Sequence, residues 1–225
     1  MLKDLLEVKG NGRVASIMGQ NTHDGDVKVG STVPDFMLAG VDGHIHKLSD
    51  FRGMKVMVCF YRYSYCPACA YTISKLIGQY KKLAWASKLM VITVFRTDVE
   101  YLKKGLEGSD APIRRLSGVH CYPFLALADP NGCAASTFKV DRKGDMKYRA
   151  FLKAVVTPSI FREIYLNGVN GGDTLLPSEF LIDENGVLVD VMRAKKKSEF
   201  MTMERISSFL LLGKQHQHPS IRSTI

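Results

Sequence analysis

The sequence predicts an α/β fold built on a central mixed β-sheet flanked by helices. Three observations carry this. Short apolar runs alternate with helical patterns from about Val56 onward, the order expected of a mostly parallel sheet. Val56-Met57-Val58-Cys59-Phe60-Tyr61 and Leu89 to Phe95 are continuously apolar, as strands buried on both faces are. An Asn-Gly turn, Asn185-Gly186, separates Phe180-Leu181-Ile182 from Val187-Leu188-Val189-Asp190-Val191, which signals a closing hairpin and therefore an antiparallel edge.

The elements follow in order. Residues 1–29 read as an extension with a weak amphipathic helix from about Leu2 to Val8 and then a glycine-rich polar stretch. Asp35 to Leu38 and His44 to Leu48 flank Asp42-Gly43, a hairpin turn signal. Ser49 or Asp50 can cap a helical turn. After the Val56 strand, Ile73, Leu76, Ile77, Tyr80 and Leu83 recur at helix spacing up to about Trp85. Leu89 to Phe95 is the next strand. Thr97 or Asp98 caps a helix carrying Tyr101, Leu102 and Leu106. Phe124 to Ala128 is a strand closed by the turn Asp129-Pro130-Asn131-Gly132, and a helix runs on through Phe138. Residues 139–171 break the alternation and read as an insertion before the last hairpin. A final helix spans about Ser198 to Leu212, and 214–225 is a polar tail. The domain proper is then 30–213, and there is no internal repeat.

Composition narrows the function classes. The chain has 225 residues, 46% of them hydrophobic and 24% charged, which suits one globular domain with decorations. No apolar run approaches the roughly 20 residues of a membrane span. The N-terminus lacks the continuous apolar stretch of a secretory signal, so the expected location is the cytoplasm. The formal charge is +9, but the basic residues are scattered and no aromatics interleave with them. The expectation is solvated helix faces, with no nucleic acid and no membrane as partner.

Five cysteines argue against a disulfide framework in a chain of this kind. Cys59, Cys121 and Cys133 stand alone, and Cys59 on its buried strand reads as core. Cys66 and Cys69 form Cys66-Pro67-Ala68-Cys69, placed where a strand gives way to a helix. A helix start offers free N–H groups and partial positive charge, which favour a thiolate over a thiol. Three-residue spacing puts both sulfurs on one turn, and Pro67 costs no hydrogen bond there. Such a pair can exchange with a disulfide or meet a peroxide, one sulfur attacking and the other resolving the sulfenic acid. Zinc needs a second half-site from His120, Cys121 or Cys133, and none forms another close pair. The site is therefore expected to hold no metal and need no cofactor beyond the cysteine pair. A module with inert cysteines remains the alternative, as does a small zinc-bearing structural domain.

Val29-Gly30-Ser31-Thr32-Val33-Pro34-Asp35-Phe36, Leu48-Ser49-Asp50-Phe51-Arg52-Gly53, Phe124 to Gly132 and Phe180 to Gly186 resemble landmarks of the alkyl hydroperoxide reductase/thiol-specific antioxidant family, the peroxiredoxins. The resemblance spans roughly 28–138 and 175–213 and implies a thioredoxin-like fold. Peroxiredoxins carry Pro-x-x-x-Thr-x-x-Cys around the cysteine that attacks peroxide. Laid on this chain, that cysteine falls on Cys69, the threonine on Cys66, the proline on Arg62, and the family's later arginine on Pro177. The replacements complete a thioredoxin-type Cys-x-x-Cys. In that register Cys66 attacks and is the more exposed sulfur, Cys69 resolves, and Pro177 is a cis-proline shaping the substrate groove. Tyr65 then occupies the shielding aromatic position beside Pro67, and Arg62 is a candidate to stabilise the thiolate.

Together these imply an oxidoreductase with a redox-active Cys66/Cys69 centre and antioxidant activity. Its substrate would be a protein disulfide or a small hydroperoxide, and its reductant of thioredoxin or glutathione type. Because many relatives dimerise, the resemblance leaves a homodimer open. The alternatives are a true hydroperoxide reductase using Cys69, or a silent binding or sensing module.

Overall fold

The computed structural model describes residues 27–83, 89–140, 175–195 and 199–212. The expected helix at Leu2 to Val8, nearly all of the 139–171 insertion and the polar tail lie outside the described residues.

Among the described residues seven strands form one mixed sheet in the order β2-β1-β5-β4-β3-β6-β7. They are β1 (Met37–Gly40), β2 (Ile45–Lys47), β3 (Lys55–Tyr61), β4 (Leu89–Phe95), β5 (Leu125–Ala128), β6 (Ser178–Ile182) and β7 (Leu188–Arg193). β3 is buried along all seven residues because it is central: β4 pairs with it in parallel and β6 antiparallel. β5 continues the parallel set on β4. Both expected hairpins are present as antiparallel edges, β1–β2 and β6–β7. Their turns depend on Gly43 and Gly186, at φ 83° and 78°, a region that favours glycine.

Five α-helices belong to the described residues, α1 (Pro67–Leu83), α2 (Val99–Glu107), α3 (Pro112–Ser117), α4 (Cys133–Thr137) and α5 (Met203–Leu212), besides a 3-10 turn at Leu48–Phe51. Asp98, one of the two expected caps, accepts the Tyr101 N–H at 2.8 Å, the bond that makes an N-cap stabilising. α3 has no counterpart in the sequence expectations; six residues are too few to show a period. It opens on Pro112 and ends at Gly118 with φ 66°.

Alternation along β3 divides the core in two. Met57, Cys59 and Tyr61 face one layer with Cys66, Cys69, Ile73 and Leu76 of the α1 region and Ile206 and Phe209 of α5. Val56, Val58 and Phe60 face the other, with Leu38, Ala134, Phe138 and Phe180. There Phe138 packs against Phe60 and Phe180 with centroids 5.2 and 5.1 Å apart, within the range of favourable aromatic pairs. No helix of the described residues is long and apolar enough to cross a membrane.

Candidate active site

β3 ends at Tyr61 and the chain turns through Arg62-Tyr63-Ser64-Tyr65 into α1, so both motif cysteines sit at the C-terminal end of a central parallel strand. Open α/β sheets place their sites at such ends. Cys66 immediately precedes Pro67, the first residue of α1. Its carbonyl accepts the Ala70 N–H at 2.8 Å, and its sulfur accepts the Cys69 N–H at 3.5 Å. This is N-capping with sulfur in place of oxygen. A negative charge on the Cys66 sulfur therefore meets an amide donor and the positive end of α1. Arg62 adds to it, with its guanidinium nitrogen 4.0 Å from that sulfur. Arg62 is buried, its guanidinium 5.1 Å from the Tyr63 ring centroid, so it is a fixed charge in the site.

Cys69 sits one turn further into the helix, where burial pushes its thiol well above the usual cysteine range. The hydrogen bond it makes with Cys66 and the Cys66 charge add to the rise, while the Arg62 charge opposes it. The two sulfurs are thus differentiated: Cys66 faces donors and Cys69 retains its proton. Both are free thiols.

The expectation that Cys66 is the more exposed sulfur is corrected. Its relative exposure is 0% and that of Cys69 is 1%. The strand-to-helix turn folds over the pair: Tyr63 is buried beside them, and half-buried Tyr65 packs against Tyr101 of α2, with ring centroids 5.2 Å apart. The cover is polar as well as aromatic, since it includes Arg62. Ser64 is fully buried, with its hydroxyl unpaired among the described residues, and lies against Gly105 of α2 together with the Tyr65 ring.

Pro177 is not in the expected conformation. The register Phe60↔Ser178 sets it opposite the end of β3. No described peptide bond is cis, so the cis-proline expectation is corrected to trans. The trans form is the lower-energy one for an X–Pro bond, and here the residue continues into the β6–β7 pairing, its carbonyl accepting the Ala194 N–H at 3.0 Å.

The remaining cysteines are apart from this site. Cys59 is core, at 0% exposure. Cys133 begins α4, and Cys121 is exposed on the loop after α3 beside exposed His120. Among the described residues no cluster of three metal-ligating side chains exists. Sequence reasoning missed Tyr63, Gly105 and Glu179. Only Glu179 left a signal, a lone carboxylate in the apolar run after Pro177.

A buried dithiol capping the helix after the central strand of such a sheet defines a thioredoxin-fold protein of the thiol-redox class. The model of the AhpC/TSA family matches residues 29–191, and the chain belongs to that family, as the sequence landmarks imply. A 43-residue segment is 49% identical to the thiol-disulfide oxidoreductase ResA of Geobacillus kaustophilus, covering 19% of this chain and about a quarter of that relative (24%). Peroxidoxin BcpB from Mycobacterium tuberculosis superposes with a TM-score of 0.54 at 20% identity, covering 88% of this chain and 99% of that one. A yeast mitochondrial 1-Cys peroxiredoxin gives 0.62 at 14% identity, over 88% and 83%. A putative protein disulfide isomerase from Bacteroides thetaiotaomicron gives 0.52 at 20% identity, over 86% and 96%. At these identities the three structures establish the fold.

Proposed function

We propose that the protein is a thiol–disulfide oxidoreductase of the peroxiredoxin-like branch that cycles Cys66 and Cys69 between dithiol and disulfide. The observation that carries this is the Cys66 sulfur in the N-cap position of α1, accepting the Cys69 amide beside Arg62. The Cys66 thiolate attacks a substrate disulfide, forming a mixed disulfide and expelling one substrate thiolate. Cys69 then attacks the Cys66 sulfur, closing the internal disulfide and releasing the second substrate thiol. A reductant of thioredoxin or glutathione type, one dithiol or two monothiols, returns the pair to its starting state. The mitochondrial relative that superposes on this chain is described as resolved via glutathione/thioredoxin systems.

Family membership favours a second reading, reduction of a hydroperoxide. The same Cys66 thiolate would take the terminal peroxide oxygen, giving Cys66 sulfenic acid and an alcohol or water. Cys69 would condense with it, releasing water. The peroxiredoxin register, which assigns attack to Cys69, fits the site less well: both sulfurs are buried, but the thiol of Cys69 is pushed well above the usual cysteine range while the Cys66 sulfur accepts the Cys69 amide beside Arg62.

Either reaction needs the cover over the pair to open, and residues 62–65 with Tyr65 are the segment to move. Pro177 and Tyr65 would then border the groove. A reductant of thioredoxin or glutathione type suits a reducing compartment, and the cytoplasm is the location this reading takes. A homodimer is its simplest assembly.

Thiol titration with and without stoichiometric peroxide or a disulfide substrate, followed by mass mapping, tests the proposal. A Cys66–Cys69 bond, and mixed disulfides trapped by Cys69→Ser but not by Cys66→Ser, are the expected results. Thiols that stay free under both oxidants would leave a silent binding module.

A further inference from the structure

The turn that hides the two cysteines is pinned by hydrogen bonds at its ends and rests on packing in between. Upstream, the Arg96 N–H donates to the Arg62 carbonyl at 2.8 Å. Downstream, the Cys66 N–H donates to the Tyr63 carbonyl at 3.1 Å, and the Cys66 sulfur caps α1. The tip, Ser64-Tyr65, lies on α2. The Tyr65 ring packs on Tyr101. Both side chains fill the space that Gly105 leaves, where a β-carbon would run into the Ser64 hydroxyl oxygen and the Tyr65 ring.

Ser64 does not fit this packing as a buried hydroxyl should. Its exposure is 0%, and its hydroxyl has no hydrogen-bond partner among the described residues. Buried hydroxyls are nearly always paired, and one left unpaired keeps the full cost of leaving water. Hydroxyls buried elsewhere in the same layer do find partners: Thr72 donates to the Ala68 carbonyl at 3.1 Å, and Tyr61 to the Glu179 carboxylate at 3.3 Å. Among the described residues one other serine hydroxyl is buried without a partner, that of Ser178, and it shares the opposite face of the sheet with Phe180. The closed turn therefore carries an unfavourable contribution at its tip. That contribution disappears when the tip lifts and water reaches the hydroxyl.

We propose that Ser64 sets how readily the cover over Cys66 opens, its unpaired buried hydroxyl weakening the contact of the Ser64-Tyr65 tip with Gly105 and Tyr101 of α2. The contact is autoinhibitory. With the tip on α2 the Cys66 side chain has no exposed surface, and neither a disulfide nor a peroxide reaches its sulfur. With the tip lifted, water hydrates the Ser64 hydroxyl, Tyr65 leaves Tyr101, and the Cys66 sulfur faces solvent. Its place at the start of α1 is kept, because the Cys69 amide that holds it belongs to the helix and not to the tip. Ser64 touches no reacting atom. It is a positioning residue that acts through the segment it belongs to, holding the closed state weak enough to be left.

The inference rests on the dithiol cycle proposed above only for the use made of Cys66, and its test reads opening without turnover. Ser64→Ala removes the hydroxyl and keeps the β-carbon. Iodoacetamide alkylation is followed cysteine by cysteine through peptide mass mapping, with exposed Cys121 as the internal reference. Hydrogen exchange of the Cys66 amide, protected by the Tyr63 carbonyl in the closed turn, is followed in the same chains. Ser64→Ala should alkylate at Cys66 about tenfold more slowly, the scale of one unpaired buried hydroxyl. Its Cys66 amide should exchange more slowly in parallel, its urea midpoint should rise, and the pH inflection of Cys66 alkylation should stay where it is in the wild type. Unchanged or faster alkylation and exchange overturn the proposal. So does a fall in stability, which means that the hydroxyl is paired in the closed state, and so does slower alkylation with a moved inflection and unchanged exchange, which means that the thiolate and not its access has altered. A wild-type chain that never closes the Cys66–Cys69 bond under oxidant overturns the dithiol cycle, while slowed exchange in Ser64→Ala still supports the cover.

Discussion

At the scale of single residues, the site separates two chemically identical side chains by position. Cys66 ends outside the helix and its sulfur receives an N–H, while Cys69 lies within the first turn of α1, where burial outweighs the Arg62 charge and pushes its thiol up. Replacing Arg62 by Met keeps its bulk but removes the charge 4.0 Å from the Cys66 sulfur. The expected result is alkylation of Cys66 at neutral pH slowed about tenfold, read by iodoacetamide kinetics, since a nearby cation is one of the features that generate a thiolate. Glu179 gives a second residue-scale expectation. Its folded pKa, about 7, is raised from 4.5, so the folded state binds the proton more tightly than the unfolded state. Its contribution is fully present below about 4.5 and is lost as pH rises through about 7, to the extent of ~3 kcal/mol. Urea melts between pH 5 and 8 should show this decline in the wild-type chain and a flatter profile in Glu179→Gln.

At the scale of elements, one contact governs where the motif sits. Gly105 of α2 leaves the space into which Ser64 and the Tyr65 ring fit, and a β-carbon there would run into both. Gly105→Ala should displace the turn that covers the cysteines, costing about 1–3 kcal/mol as overpacking does and making Cys66 react faster with a bulky thiol reagent. An unchanged reaction rate in the folded variant would separate the cover from α2. The α2 cap offers a simpler case. Asp98→Ala removes the acceptor of the Tyr101 amide and should lower stability by about 1 kcal/mol in a denaturant melt, without altering Cys66 reactivity.

Across the whole molecule, the C-terminal helix closes the layer in which the chemistry lies. Phe209 is buried against it, and its ring centroid is 4.9 Å from the Lys55 ammonium, which also caps the Phe209 and Leu210 carbonyls at 2.7 and 3.1 Å. Phe209→Ala should cost about 3–5 kcal/mol, measured by chemical denaturation. Arg205 pairs with Asp190 through both its Nε, at 2.8 Å, and a terminal nitrogen, tying α5 to β7. The Met201 amide on Glu179 links this same segment to the redox layer. One helix therefore supports the sheet edge and the floor of the site together.

Local pattern was enough for the sheet, the hairpins and the motif. Val56 to Tyr61 is apolar without a break because a central strand has no solvent face, and Cys66-Pro67-Ala68-Cys69 is legible because helix starts obey local rules. Asp42-Gly43 and Asn185-Gly186 are legible for the same reason, since a turn depends on its own residues. Three other features depend on contacts between distant segments. The covering of Cys66 comes from α2 meeting the turn after β3, the trans bond at Pro177 precedes a strand paired with β3 and β7, and the place of Glu179 across from Cys59 follows from the register of β6. Burial and register are sums over neighbours far away in the chain, and no window of sequence contains them.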